Sequence, residues 1–369
     1  MKTVRRLLYR DIVASVMFVA LAFLSLFFFI DFVDELEGVG TRGRTTWHAV
    51  LAAALELPGH LYELMPIAVL IGSIYSLARL AQSSEFTILR TGGLGPGRAM
   101  GLLAGLGVAF GALTFITGDY LAPASEREAV LLKARFSGGI EFGGAGAWLK
   151  ERRSMPEGEH SFSVNVAGAT ASGALAGIRI FEFDADGRLL ANTEAREGRV
   201  DDNGVWQLSD VRVAHWPQAR SADAAVRTET HAQLNWPSTL SAAVVAAAVL
   251  PLGTMTTAEL WRYSSHLSAQ EQASQQHQIR FWRKALYPLA CLVMVALALP
   301  FAYTHARAGS VSVKVFGGIM LGISFVLLNN LSGHIGMLRG WTPWLAAATP
   351  SLLYLALSLA AFAWLVRYR

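Results

Sequence analysis

The sequence predicts an α-helical polytopic membrane protein, with six transmembrane helices and an inserted all-β, jellyroll-like domain between the third and the fourth. Three observations predict it. Composition is the first: 369 residues are 53% hydrophobic and only 16% charged, with a mean hydropathy of +0.39, which is too apolar for an ordinary soluble fold. The second is that the apolar residues fall in uncharged runs of membrane-spanning length. The third is a long middle segment that alternates apolar and polar residues with the period of a strand.

Taken in order, residues 12–30, 99–118, 285–304, 315–333 and 341–366 contain no Asp, Glu, Lys or Arg. Each reaches the roughly 18 to 20 residues needed to cross a hydrocarbon core. A sixth run, 61–78, is weaker because it carries Glu63 near one end and Pro66 just inside, and it spans if Glu63 sits at an interface. The first run follows a basic tail, as a signal peptide would. It is longer than a signal-peptide core and is followed by acidic residues with no small-residue cleavage site, so it is expected to stay as a helix.

Orientation follows from Lys and Arg, which collect in cytoplasmic loops. Lys2, Arg5, Arg6 and Arg10 precede the first span; Arg79, Arg90 and Arg98 lie between the second and third; Arg307 and Lys314 lie between the fourth and fifth; Arg367 and Arg369 end the chain. Both termini are therefore expected in the cytoplasm. The first loop on the other side mixes Asp31, Asp34, Glu35 and Glu37 with Arg42 and Arg44, and the last holds only Arg339.

The segment of about 160 residues between the third and fourth spans is too long for a loop and long enough for a domain. Phe162, Val164 and Val166 alternate with Ser161, Ser163 and Asn165, and Val226 to Leu234 alternate similarly, the signature of half-buried strands. Turns are expected at Asp184 to Gly187 and at Asn203-Gly204. The expected product is an antiparallel sandwich or jellyroll of seven or eight short strands. Residues 124–136 are expected to extend the third span as a helix, and Thr256-Thr257-Ala258-Glu259 is a capping box opening a connector helix to about Leu267. The domains are thus 1–122, 123–255 and 256–369.

Little catalytic chemistry is available. The cluster Gly92-Gly93-Leu94-Gly95-Pro96-Gly97 lacks the Lys-Ser/Thr ending of a phosphate loop. The nine histidines show neither His-Glu-x-x-His nor a zinc spacing, and no Gly-x-Ser-x-Gly elbow occurs. The single cysteine, Cys291, lies in the fourth span and reads as a small buried apolar residue. Glu63, Asp119 and His334 fall at outer span ends, where solvated positions are expected, and Asn329 and Asn330 are expected to hydrogen-bond within the bundle. The energy for any transport must come from a partner ATPase or an ion gradient, and no relay of mid-membrane acids favours the gradient.

The cytoplasmic link Ser83 to Gly93 carries start and stop signals for a short helix: Ser84 at its start, Glu85 in its first turn, Arg90 in its last and glycine beyond. Phe86, Ile88 and Leu89 have no obvious core to enter, which suits either docking into a groove of a soluble ATPase or lying on lipid.

Phe32-Val33-Asp34-Glu35-Leu36, Leu64-Met65-Pro66-Ile67-Ala68-Val69-Leu70-Ile71-Gly72, Ser84-Glu85 through Arg90-Thr91-Gly92, Phe281-Trp282-Arg283-Lys284 with Pro288, and Ala298-Leu299-Pro300-Phe301 stand in this order. In order and spacing they resemble the LptF/LptG lipopolysaccharide export permeases, with the LptG branch the better fit. The resemblance implies an inner-membrane permease with a periplasmic β-jellyroll. It would work with an LptF-like permease, a dimer of an LptB-like ATPase, a single-span LptC-like protein and an LptA-like periplasmic bridge. ATP and magnesium would sit on the ATPase, with no cofactor or metal on this chain and no nucleic acid involved.

By the same resemblance Ser84, Glu85, Phe86 and Arg90 form the coupling helix, and spans one and five form lateral gates. Basic residues near the end of span one often bind lipid phosphate in relatives, whereas this chain has Asp31 and Glu37 there. The candidate substrate residues are accordingly Phe28, Asp31, Arg42 and Arg44 near the membrane, and Phe162, Val164 and Val166 in the β domain, where acyl-chain contact and ordinary core both stay open. A permease for another lipid or glycolipid, or a membrane-anchored periplasmic sensor or chaperone, shares most of these features.

Overall fold

The computed structural model describes residues 2–41, 43–137, 140–141, 146–156, 158–170, 174–201, 205–217, 225–240, 245, 254–269, 275–303 and 310–368. The helices are α1 (Lys2–Leu36), α2 (Thr46–Gln82), α3 (Glu85–Thr91), α4 (Pro96–Ile116), α5 (Ala122–Ser137), α6 (Thr257–Ala269), α7 (Gln275–Ala302), α8 (Val311–Leu338) and α9 (Pro343–Tyr368). Six of the described helices are long and apolar enough to cross a membrane, one for each expected run. A π turn at Thr117–Leu121 joins α4 to α5, so the extension expected after the third span is present. The chain forms two compact units, one of Met1–Glu37, Ala53–Ser125 and Gln275–Arg369, the other of Gly38–Ala52 and Glu126–Ser274.

In the helical unit α7 is the centre. Val293, Met294, Val295, Leu297, Ala298 and Leu299 are all buried, so this stretch is apolar all round, as a helix enclosed by others must be. It packs on α4 and α9. Glycines set the approach to α4: a Cβ on Gly107 would meet Leu292 Cα at 2.9 Å, and one on Gly111 would meet the Pro288 carbonyl oxygen at 2.8 Å. Small residues let membrane helices close up in this way. Leu8, Ile12, Val16 and Ala20 make a buried stripe on α1, and α2 meets it so closely that a Cβ on Gly72 would lie 2.6 Å from Val16 Cα.

The sixth, weakest run proves to be the most enclosed. In α2, 83% of the spanning window is buried, against 22% in α1 and in α8. Its modest hydropathy has a physical reason, since a helix sheathed by protein need not match the apolarity of lipid. Asp119 also departs from expectation: it lies in the π turn, buried, instead of solvated at a span end. Cys291 is fully buried with its sulfur 3.2 Å from Thr114 Oγ1.

The β unit is antiparallel, with strands β1 (Ile140–Glu141), β2 (Ala147–Met155), β3 (Gly158–Ala169), β4 (Leu175–Phe183), β5 (Leu189–Val200), β6 (Val205–His215) and β7 (Arg227–Pro237). They form one sheet in which β3 to β7 are neighbours in chain order and β1 and β2 both pair with β3. An antiparallel sandwich or jellyroll of seven or eight short strands is the expectation; the described residues make one antiparallel sheet of seven strands, six of them 9 to 12 residues long.

That sheet encloses a core because it is creased. Buried positions change parity along β4, from Leu175 to Ile178 and Ile180, along β5, from Ala191 and Ala195 to Gly198, and along β6, from Trp206 and Leu208 to Val211 and Val213. Left-handed residues lie on the crease, Gly177 at φ +63° and Asp210 at φ +53°. Glycine adopts that conformation freely and Asp more readily than most residues. On the outer face the register places Glu194 opposite both Arg179 and Arg212, a cross-strand charge ladder.

The Asp184 turn forms as expected, with Gly187 at φ +77° and Arg188 N donating to Asp184 Oδ1 at 2.7 Å; Asn203-Gly204 lies outside the described residues. β7 corrects its expectation of half-burial. As an end strand it is exposed along most of its length, and only Leu234 and Trp236 are half-buried. The capping box on α6 closes as its spacing requires. Glu259 N donates to Thr256 Oγ1 at 3.2 Å, and Thr256 N donates to Glu259 Oε2 at 2.8 Å.

Candidate functional site

The short helix expected in the link between the second and third spans is present as α3, and its faces divide sharply. Glu85, Ile88 and Arg90 are exposed, whereas Phe86 is buried. Phe86 packs edge-on to Tyr303, with ring centroids 5.1 Å apart, and the Arg90 guanidinium lies 5.7 Å from the same ring. The expectation that Phe86 lacks a core is therefore corrected: it joins the main helical core, with Leu89 packed partly against it. A helix of seven residues, about two turns, needs such an anchor, because isolated helices this short do not hold together in water.

Ser84 also differs from its expected role. Its side chain makes no cap; its backbone is left-handed at φ +61°, and its carbonyl accepts from Ile88 N at 3.1 Å. This conformation is uncommon for a non-glycine residue and turns the chain sharply between α2 and α3. The result is a short helix pinned by Phe86, with an acid, an apolar side chain and a base turned outward.

At the far end of α1, Asp31 receives a hydrogen bond from His60 Nε2 of α2 at 2.8 Å, and Phe27 stacks on the imidazole at 4.7 Å. Asp31, Glu56 and His60 offer donor atoms all within 4.8 Å of one another, so this group has the make-up of a cation site, but His60 already satisfies Asp31 directly. Phe28 is half-buried and stacks with Phe32 at 6.3 Å. Arg44 is half-buried and its guanidinium lies against Gly38; Arg42 lies outside the described residues. The structure thus brings Asp31 together with a histidine and places Arg44 on the turn that follows α1.

Phe162, Val164 and Val166 share the interior face of β3, all buried in one core with Leu149, Ile180 and Trp206. At the edge of this core sits Glu151, fully buried and paired to Arg153 Nε at 2.8 Å. The Arg153 guanidinium lies 4.3 Å from the Phe162 ring centroid and 4.7 Å from that of Trp236.

Sequence reasoning missed His60, Glu151, Arg153 and Tyr303. The spacing of Glu56 and His60, one helical turn apart, could have flagged the first. Nothing local marks Tyr303 as the seat of Phe86, since the two are brought together only by tertiary packing.

The whole chain can be placed by comparison. Residues 6–366 match the family described as lipopolysaccharide export system permease LptF/LptG. Among individual relatives, the lipopolysaccharide export system permease protein LptG of Haemophilus influenzae is 25% identical over 358 residues, covering 96% of each chain. That of Escherichia coli strain K12 is 24% identical over 357 residues, again 96% of each. The match extends over both units, and this chain, with six helices of membrane-spanning length among its described residues and an inserted β sheet, belongs to the LptF/LptG family of permeases.

Proposed function

We propose that this chain is a permease subunit of an ABC transporter that extracts lipopolysaccharide from the inner membrane and passes it toward a periplasmic bridge. Both termini and α3 lie in the cytoplasm and the β sheet in the periplasm, in keeping with the distribution of Lys and Arg. An LptF-like permease completes the cavity, an LptB-like ATPase dimer holds the ATP and magnesium, and LptC-like and LptA-like proteins receive the lipid.

The observation that carries this reading is α3 on a chain of permease ancestry. Phe86 anchors it from behind, while Glu85, Ile88 and Arg90 face outward, the mixture of charge and apolar surface that a soluble groove recognises. A stroke in the ATPase would thus reach the membrane helices through Phe86 and Tyr303. α1 and α8 are the least enclosed spans, which suits lateral gates through which a lipid enters. The interior of the β sheet, with Phe162, Val164 and Val166 on its apolar face, offers a path for acyl chains when the crease opens.

The test is affinity purification of tagged protein in mild detergent, wild type beside Glu85→Lys, with mass spectrometry of bound proteins and lipids. An ABC ATPase, a second permease and lipopolysaccharide are expected with the wild type, and loss of the ATPase alone with the variant. An ATPase accompanied by a different lipid would assign the chain to another lipid exporter. No ATPase under any mild condition would remove the reading in favour of an anchored sensor or chaperone.

A further inference from the structure

Arg280, Arg283 and Lys284 put three cations within five residues of α7. They lie at the end of the helix opposite Arg307 and Lys314, on the side that the charge bias assigns to the exterior, where retention of positive charge is not expected from topology. Arg280 and Arg283 are three apart and Arg280 and Lys284 four apart, so the cations share a face and repel one another. Among the described residues no carboxylate pairs with Arg280 or Arg283.

Arg280 is exposed, but Arg283 is half-buried and held. Its guanidinium lies flat across α8 where Gly333 has no side chain: a Cβ there would meet Cζ at 3.2 Å and Nη2 at 3.3 Å. The Asn330 Oδ1 atom is a distant 3.5 Å from Nη2, and Nε is buried with no acceptor. One turn along α7, the Tyr287 hydroxyl is committed elsewhere, donating to the Glu63 carbonyl oxygen at 2.5 Å. A guanidinium partly removed from water, short of acceptors and beside a second free guanidinium is an electrostatic cost unless an anion meets it.

We propose that Arg283, with Arg280 beside it and Asn330 below, forms a phosphate-binding site in the groove between α7 and α8, at headgroup level. A planar guanidinium fork fits two phosphate oxygens at once, and the neighbouring cation accounts for the second charge of a monoester. Trp282 and Trp341 near the same helix ends suit an interfacial depth. Only the identification of the phosphate as a lipid's rests on the permease reading above.

The experiment is lipid titration by native mass spectrometry on the full-length protein in neutral detergent. The probes are phosphatidic acid, diacylglycerol as the phosphate-free control, and inorganic phosphate alone. Phosphatidic acid is expected to bind at least about tenfold more tightly than diacylglycerol, and Arg283→Gln to remove that preference, since a charge-assisted pair is worth roughly that factor. Gly333→Ala keeps the charge but displaces the guanidinium and should also weaken binding, while Arg283→Lys restores part of it. Elution volume and melting temperature of each variant establish that it is folded.

Displacement of phosphatidic acid by millimolar inorganic phosphate would assign the site to a free anion, and resistance to it would assign a lipid headgroup; both support a phosphate site. Equal binding of phosphatidic acid by folded wild type and Arg283→Gln overturns it. That result with lipopolysaccharide still co-purifying removes this site alone and leaves the permease standing.

Discussion

Glu151 carries a charge on the interior face of β2, where its neighbours two residues to either side are Leu149 and Arg153. It accepts from Ser238 Oγ at 2.6 Å and Thr239 N at 2.8 Å and is ion-paired with Arg153, whose Nη2 donates to it at 3.5 Å, which fastens the chain leaving β7 to the opposite end of the sheet. Removing one partner strands the other in a buried place. Glu151→Ala is therefore expected to destabilise the β unit by about 3–5 kcal/mol, read as the thermal midpoint of the near-ultraviolet circular dichroism. The double change Glu151→Leu with Arg153→Leu should lose much less, because no uncompensated charge remains; an equal or larger loss would remove this account. Lys150-Glu151-Arg152-Arg153 has the composition of a solvated stretch. Only the pairing of Glu151 with Phe162 reveals which side each charge takes, so this feature is illegible before strand register is known.

For single elements, legibility tracks how local the determining forces are. The α6 cap was readable from Thr256 and Glu259 because a capping box is closed by residues three apart. Burial alone would raise the Glu259 carboxyl, but the Thr256 backbone N–H, the Thr256 hydroxyl and Arg127 outweigh it and hold the group below its usual value. A depressed carboxyl stabilises the folded state above the pKa of the unfolded chain, and that contribution fades as pH falls through the folded value. Protection factors of the α6 amides should fall in that acid window for the wild type, whereas Glu259→Gln should show weaker protection at neutral pH and little further change. For α3 the extent was legible, but the Ser84 cap and the surroundings of Phe86 were not: Phe86 enters a core supplied partly by Tyr303, more than two hundred residues on. β7 failed for a related reason, since alternation reports one apolar face but not whether anything covers it.

Across the whole molecule, the division into six spans and an inserted β domain was legible because lipid imposes a length and a composition on every helix that faces it. The crease of the sheet was not, since a change of parity in three strands at once depends on pairing and on left-handed residues such as Asp210. Nor was the central role of α7, which is fixed by glycine contacts from α4. Gly107→Leu should force α4 off Leu292 and cost about 1–3 kcal/mol or more through overpacking, seen as a lower midpoint on denaturation of the helical unit in detergent. Gly101, which has open space around its missing Cβ, is the matched control and should tolerate the same change.

The enclosure of α2 has a mechanical meaning. At about 1.5 Å per residue its 37 residues make a rod of roughly 55 Å, ending at the sharp turn that bears Glu85. Pro58 and Pro66 interrupt its internal hydrogen bonding, so by itself it would buckle under an axial load. Sheathed by its neighbours it takes its stiffness from their packing, so a load along its axis is shared with them as a guide shares the load of a rod.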